Sequence, residues 1–203
     1  KKITIDIKNI NLKRKFFNGQ TIMGILNMTP DSFSDGGKYN NKKKAFIHIA
    51  KMIKSGAQII DVGGESTRPG SKNILTEIEW ERIKYIVENF KKKYPRIILS
   101  IDTRKSKIMK NSIKFKADII NDVSSFNHDK NSLPEIKKKN VWKVVHHMQG
   151  NPSNMQKKPK YKNVLLDVYD FFEDVIKNKF KEKKYLKKII LDPGIGFGKN
   201  LKH

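Results

Sequence analysis

The stretch TIMGILNMTPDSFSDGG, residues 21–37, decides the fold of this chain. Its apolar half, residues 22–26, has the length of a strand and contains no polar side chain, as in parallel-sheet strands that are buried on both faces. Asn27 then places an amide at the carboxyl end of the strand, and the segment after it has the Thr, Pro, Asp, Ser and Gly content of a ligand-binding loop. A single segment of this kind would be an ordinary strand and turn. It becomes informative because the pattern recurs.

Strand-like apolar runs alternate with helical patterns along the rest of the chain. The strands are predicted at residues 22–26, 57–62, 96–102, 118–123, 141–148 and 188–191, with a helical stretch between each pair. The second helix is expected to open with a capping box of Thr76 and Glu79, and the third to be capped by Thr103. Residues 3–12 alternate apolar and polar positions, which predicts a further strand before the first unit. Such alternation of strands and helices with short connections is typical of a parallel α/β protein.

Two parallel folds accommodate these units, and the placement of polar residues distinguishes them. A doubly wound sheet gathers its site at one switch point, whereas a (β/α)8 barrel uses the carboxyl ends of most strands. Polar residues here follow nearly every strand: Asn27, residues 65–68, Asp102, Asn121, His147 and Asp192. The sequence therefore predicts a (β/α)8 TIM barrel in which residues 1–203 form a single domain. The domain is expected to end after the sixth strand, without the last two strands and helices.

Composition narrows the classes of function. The 203 residues are 37% hydrophobic, which is enough for one core, and they contain no apolar run near the length of a membrane span and no signal-peptide pattern. The absence of cysteine excludes disulfides and thiolate metal sites. These features predict a cytoplasmic protein without a membrane partner. The net charge of +24 is spread over lysines on polar helix faces without interleaved aromatic residues, so we expect no nucleic acid partner but a positive field that attracts anionic substrates.

Six motifs follow the predicted strands: GILNMTPDSFSDGG (24–37), DVGGESTRPG (61–70), SIDT (100–103), IINDV (119–123), HMQGNP (147–152) and LDPGIGFGKN (191–200). In their order and spacing these motifs resemble the dihydropteroate synthase family. That family is a (β/α)8 barrel that joins 6-hydroxymethyl-7,8-dihydropterin diphosphate to 4-aminobenzoate, with Mg²⁺, to form dihydropteroate and diphosphate. The resemblance implies this transferase activity in folate biosynthesis, these two small-molecule substrates, Mg²⁺ as the cofactor and a homodimer for the complete barrel.

The resemblance also assigns a pterin pocket. Asp102, Asn121 and Asp192 match polar positions of the family's pocket, and Met148 and Phe197 match apolar positions around it. The chemistry is appropriate, because the aminopyrimidinone edge of a pterin offers adjacent N–H donors that a carboxylate accepts as a pair, while an amide matches mixed donors and acceptors. The alternative for each aspartate is a helix N-cap after its strand, which is most plausible for Asp102.

The resemblance also assigns roles to the first loop, residues 29–37 after the first strand, and to the second loop, residues 63–70 after the second strand. Thr67 and Arg68 match residues that meet the diphosphate and the second substrate, and Asp35 matches an acidic position that faces the reacting carbon. Phe33 and Pro69 match positions near the aminobenzoate ring.

Asn27 resembles the family's Mg²⁺ ligand. One neutral oxygen, together with substrate oxygens and water, is enough for this cation. A simple turn asparagine is the alternative interpretation of Asn27.

Two further function hypotheses remain open. The family's seventh-strand Ser-Arg-Lys segment and eighth-strand Arg-x-His have no counterpart before His203, so the chain could be a truncated, non-catalytic pterin-binding remnant or a partner subunit. The pterin domain of a methyltetrahydrofolate-dependent methyltransferase also carries Asp and Asn at strand ends, but it should lack DSFSDGG and ESTRPG. The sequence assigns no role to His146 and His147.

Overall fold

The structure is a computed structural model that describes residues 20–29, 38–66, 71 and 73–203. Strands and helices alternate along these residues. The strands are β1 (Met23–Asn27), β2 (Ile59–Gly63), β3 (Ile98–Asp102), β4 (Ile119–Asp122), β5 (Trp142–His146) and β6 (Ile189–Asp192). The helices are α1 (Lys38–Lys54), α2 (Thr76–Lys93), α3 (Ser106–Lys114), α4 (Ser132–Ile136), α5 (Val164–Lys179) and α6 (Lys183–Leu186). The strand predicted for residues 3–12 lies outside the described residues.

All six described strands belong to one parallel sheet in the order β1-β2-β3-β4-β5-β6. A doubly wound sheet reverses its strand order at a switch point, whereas here every strand pairs with its successor in the chain. Sequential parallel order with a helical connection after each strand is the topology of a (β/α)8 barrel, and the described residues form six such strands. The predicted fold class is confirmed.

Two apolar layers stabilise the sheet from opposite faces. Ile60 and Val62 of β2 lie in the main core with Ile83 and Phe90 of α2. Ile59, the neighbour of Ile60, belongs instead to a second buried cluster that contains residues of three other strands, β3, β4 and β5. Because successive side chains of a strand point to opposite faces, the second cluster marks the inner face, away from the helices.

The inner face also carries the polar residues of the strand ends. Asp61 and Gly63 have the same parity as Ile59, Asp102 the same parity as Ile98, and Asn121 the same parity as Ile119. His146 follows Trp142 and Val144 in the same way on β5. On the inner face of the sheet, apolar side chains therefore lie toward the amino ends of the strands and polar side chains toward the carboxyl ends.

The starts of two helices differ from their local sequence signals. The N-caps of α2 and α3 are Leu75 and Lys105, and neither side chain caps the helix. Glu79 instead accepts a hydrogen bond of 2.6 Å from the Thr103 hydroxyl in the interior. The predicted capping box is therefore wrong, because the Glu79 side chain bonds to Thr103 rather than to the start of α2. Thr103 does not cap α3 either, because its oxygen accepts a hydrogen bond of 3.3 Å only from the amide of Lys105, the residue before the helix, while its hydroxyl donates to Glu79.

None of the helices in the described part of the chain combines the length and the apolar character that crossing a membrane requires.

Candidate functional site

The register of the sheet brings the predicted pterin residues to one edge. Asp102 pairs with Gly63 on one side and with Asn121 on the other. Asp192 ends β6 opposite His146. These residues lie at the carboxyl ends of their strands, which is where (β/α)8 barrels build their active sites.

Other carboxyl groups surround the carboxyl group of Asp102. Burial, and then the negative charge of Asp61, raise the pKa of Asp102 well above its usual value. The helix that follows begins only at Ser106, whose amide donates to Asp129 Oδ2 at 2.8 Å. Asp102 is therefore no helix N-cap, and its carboxyl group is available to a ligand that supplies N–H donors.

Asp61 is a site residue that the sequence interpretation missed. It is buried, and its Oδ2 accepts a hydrogen bond of 3.1 Å from Asn121 Nδ2. Burial raises the pKa of Asp61, and the Asn121 amide opposes that effect. Asp61 Oδ1 and Asn121 Oδ1 are buried without a hydrogen-bond partner in the described part of the chain, so each has an acceptor position that these residues leave unused. A charged residue inside the otherwise apolar run IIDVG was the signal for it.

Asp192 has the opposite electrostatic environment. Its Oδ2 lies 3.1 Å from His146 Nδ1, and its Oδ1 accepts a hydrogen bond of 2.8 Å from the Gly194 amide. The hydrogen bond with His146, supported by the Gly194 amide, lowers the pKa of Asp192 although partial burial acts to raise it. The site thus combines a carboxylate held in its ionised form, Asp192, with a carboxyl group that retains its proton more readily, Asp102.

The two apolar candidates are placed differently. Phe197 packs edge-on against the His146 ring, with the ring centroids 4.6 Å apart, and His146 in turn contacts Asp192. Phe197 therefore lies close to Asp192. Met148 is half-buried just beyond the end of β5.

The LDPGIGFGKN motif folds as a turn around a lysine. Lys199 Nζ lies 2.8 Å from His147 Nδ1 and donates to the carbonyls of Gly194 and Phe197 at 3.1 and 3.2 Å. Gly194 has a φ of +63°, and a Cβ at this position would lie 2.0 Å from the His147 carbonyl oxygen, so only glycine fits. These carbonyl partners hold the Lys199 ammonium group within its own turn.

The environment of His147 predicts acid sensitivity. Burial, followed by the positive charge of Lys199, lowers the pKa of His147 to about 4. The unfolded chain takes up a proton on this histidine near pH 6.5, so the folded state should lose stability as the pH falls from about 6.5 to about 4. His147→Gln should flatten this part of the curve of unfolding free energy against pH, measured by urea denaturation at several pH values. An unchanged slope in the variant would contradict the assignment.

A buried ion-pair cluster lies beside the start of the second loop. Glu65 contacts Arg104 Nη2 at 2.6 Å and Lys105 Nζ at 3.1 Å, and Lys105 reaches Glu79 at 2.5 Å. The Ile74 amide also donates to Glu65, at 3.1 Å. Burial acts to raise the pKa of Glu65, but the hydrogen bonds from Arg104 and the Ile74 amide bring it below its usual value.

Glu79 behaves differently within the same cluster. For this side chain, burial prevails and raises the pKa despite the contacts with Lys105 and Thr103.

Five residues of the two predicted loops lie outside the described residues, so their roles stay predictions. They are Phe33, Asp35, Thr67, Arg68 and Pro69.

Asn27, the predicted metal ligand, is the last residue of β1 and pairs with Gly63 of β2. It therefore lies at the carboxyl edge of the sheet, two strands from Asp102.

The sequence of the chain matches a known protein family. The profile of a family described as pterin binding enzyme matches residues 23–203. Dihydropteroate synthase of Escherichia coli K12 is 43% identical over 182 residues, which are 90% of this chain and 64% of that protein.

The chain is also similar to solved structures of dihydropteroate synthases. Dihydropteroate synthase of Yersinia pestis, in a sulfonamide drug complex, superposes with a TM-score of 0.81 at 41% identity and covers 90% of this chain and 66% of that one. The Burkholderia cenocepacia enzyme complexed with 7,8-dihydropteroate gives 0.77 at 33% identity, over 91% of this chain and 61% of that one.

The chain therefore belongs to the pterin-binding enzyme family. The relatives compared above are dihydropteroate synthases, and the chain spans 64% of the length of the one from E. coli.

Proposed function

We propose that this chain carries the catalytic region of a dihydropteroate synthase, which condenses 6-hydroxymethyl-7,8-dihydropterin diphosphate with 4-aminobenzoate. The observation that carries the proposal is the group of Asp102, Asn121 and Asp192 at the carboxyl ends of β3, β4 and β6 in a member of the pterin-binding family. The relative from B. cenocepacia is complexed with 7,8-dihydropteroate, which supports the same ligand class for this chain.

The pterin would be recognised through its N–H groups. Asp192 offers two oxygens of an ionised carboxylate, which suits the adjacent donors of an aminopyrimidinone edge. Asp102 accepts a hydrogen bond when ionised and donates one when protonated, and Asn121 adds an amide. Phe197 and Met148 would cover the faces of the ring.

The remaining substrate groups fall to the two loops. We assign the diphosphate to Thr67 and Arg68, because the guanidinium fork of arginine fits phosphate oxygens, and the neighbourhood of the reacting carbon to Asp35. Phe33 and Pro69 would contact the aminobenzoate ring.

Asn27 would hold Mg²⁺. The described residues contain no group of three or more His, Cys, Asp or Glu side chains that could bind a metal, and the amide oxygen of Asn27 is a hard, neutral donor. This donor set fits an ion that takes most of its ligands from diphosphate and water. When bound, the ion would neutralise charge on the leaving diphosphate.

The task of the protein residues is positional and electrostatic. The bond between the pterin methylene and diphosphate breaks, and the nitrogen of 4-aminobenzoate forms the new C–N bond before it releases a proton to solvent. Pterin ring nitrogens delocalise the developing cation, and the arylamine is neutral at pH 7, so no strong general base is needed. Holding the pterin at Asp192, Asp102 and Asn121 orients the methylene for attack.

The cellular setting follows from the same proposal. We expect a cytoplasmic homodimer with small-molecule substrates and no nucleic acid partner. The net charge of +24 would then serve to attract the anionic diphosphate substrate.

A coupled assay for diphosphate release tests the proposal. The purified protein should release diphosphate only when both substrates and Mg²⁺ are present.

Asn27→Ala should impair binding of the diphosphate substrate in the presence of metal, while leaving binding of free hydroxymethylpterin nearly intact. Pterin binding without diphosphate release would instead favour a non-catalytic pterin-binding remnant or a partner subunit.

A further inference from the structure

His146 is held rigidly in the interior. It is buried at the end of β5, and the Ser125 hydroxyl donates to its carbonyl at 2.8 Å and accepts from its amide at 2.9 Å. Its ring packs edge-on against Phe197, and a Cβ at Gly194 would lie 2.9 Å from Nε2. The backbone and the ring plane of His146 are therefore both fixed by neighbouring segments.

This ring holds one oxygen of Asp192. Nδ1 of His146 lies 3.1 Å from Asp192 Oδ2, and the Gly194 amide holds Oδ1 at 2.8 Å. An ionised carboxylate only accepts hydrogen bonds, so Nδ1 carries a proton and donates it to Asp192 Oδ2. Nε2 is buried and has no hydrogen-bond partner among the described residues, so the hydrogen bonding of the ring is directed to Asp192 alone.

The two contacts determine what Asp192 presents to a ligand. Each oxygen has one hydrogen bond from the protein and keeps a further lone-pair direction. The side chain is 43% exposed, so these free directions are accessible from the open edge of the site. A carboxylate fixed in this plane offers two parallel acceptors, the arrangement that pairs with two adjacent N–H groups.

We propose that His146 is a positioning residue that fixes the carboxylate plane of Asp192 and thereby sets the affinity for ligands with paired N–H donors. This inference rests on the proposed function, because a pterin is such a ligand. His146 itself does not touch the substrate in this role. His146 acts through Asp192, so replacing His146 should weaken the binding of a ligand more when that ligand donates two N–H groups than when it donates one.

The test compares two ligands by calorimetry with the purified protein. One ligand is 6-hydroxymethylpterin, and the other is its analogue without the 2-amino group, which retains only one N–H for Asp192. His146→Leu should weaken binding of the pterin by about tenfold, the effect of one hydrogen bond to a charged group, and binding of the analogue by far less. His146→Asn, whose amide nitrogen lies near the position of Nδ1, should restore most of the pterin affinity.

Two controls separate positioning from structural damage. His146→Gln places its amide beyond the position of Nδ1 and should not restore affinity, and His147→Gln changes the neighbouring histidine and should leave pterin affinity at the wild-type value. If the leucine variant does not fold, the difference between the asparagine and glutamine variants decides the question. Equal losses for both ligands, or equal affinities of the asparagine and glutamine variants, would overturn the positioning role. Failure of the wild-type protein to bind the pterin would overturn the proposed function as well.

Discussion

Glu65→Ala is expected to lower the free energy of unfolding by about 3–5 kcal/mol, the usual cost of breaking a buried ion pair from one side. Arg104 and Lys105 are both buried against Glu65, at 2.6 and 3.1 Å, and among the described residues Arg104 would keep only the Asn73 amide oxygen, at 2.9 Å, as a side-chain partner. The Ile74 amide would lose its acceptor as well. The unpaired buried cation is costly because it does not regain its hydration in the folded state, and the half-buried Ile74 amide adds a smaller cost.

The chain offers a matched control for this loss. Glu77 forms an ion pair of 3.0 Å with Lys107, but both side chains are about two thirds exposed, at 68% and 66%. Because exposed pairs are screened by water and salt, Glu77→Ala should leave the unfolding free energy close to that of the wild type. Urea denaturation followed by circular dichroism measures both variants. A loss of similar size in the two variants would mean that burial of the cluster contributes nothing.

Asp192→Ala is expected to weaken binding of 6-hydroxymethylpterin by more than tenfold, and by about a hundredfold if both carboxylate oxygens contact the ligand. Hydrogen bonds to a charged acceptor contribute about 1.5–3 kcal/mol each, so at the lower end of this range one bond corresponds to about tenfold in affinity and two bonds to about a hundredfold. The variant also leaves His146 Nδ1 without its acceptor, a cost to the stability of the fold that is the same with and without ligand.

Asp192→Asn serves as the graded control, because it keeps the shape and one acceptor oxygen but not the charge. Its affinity should fall between those of the wild type and the alanine variant, with all three measured by calorimetry at the same pH. Unchanged affinity in Asp192→Ala would remove this residue from the pterin pocket and with it the central group of the proposed site.

The sequence by itself determined the order of the strands and helices and the edge at which the site lies. The apolar runs at residues 57–62, 96–102 and 118–123 correspond to β2, β3 and β4, because burial between a helix layer and an inner layer requires an apolar stretch in the sequence. Placing Asp102, Asn121 and Asp192 together needed only the rule that parallel strands share one carboxyl edge. Both inferences rest on local patterns, and the structure reproduces both.

Only the tertiary structure decided which side chains bond to one another. Asp61 meets Asn121 across 60 positions of sequence, and His146 meets Asp192 across 46. Such contacts depend on strand register and on the face to which each residue points, and no local pattern encodes them.

Glu79 is the clearest case in which the two levels conflict. Its spacing from Thr76 matched a capping box, but in the fold it faces the buried ion-pair cluster and bonds to Lys105 and Thr103. A capping interaction contributes about 1 kcal/mol, whereas leaving Lys105 without this buried partner would cost several times more. The tertiary contact therefore prevails over the local signal.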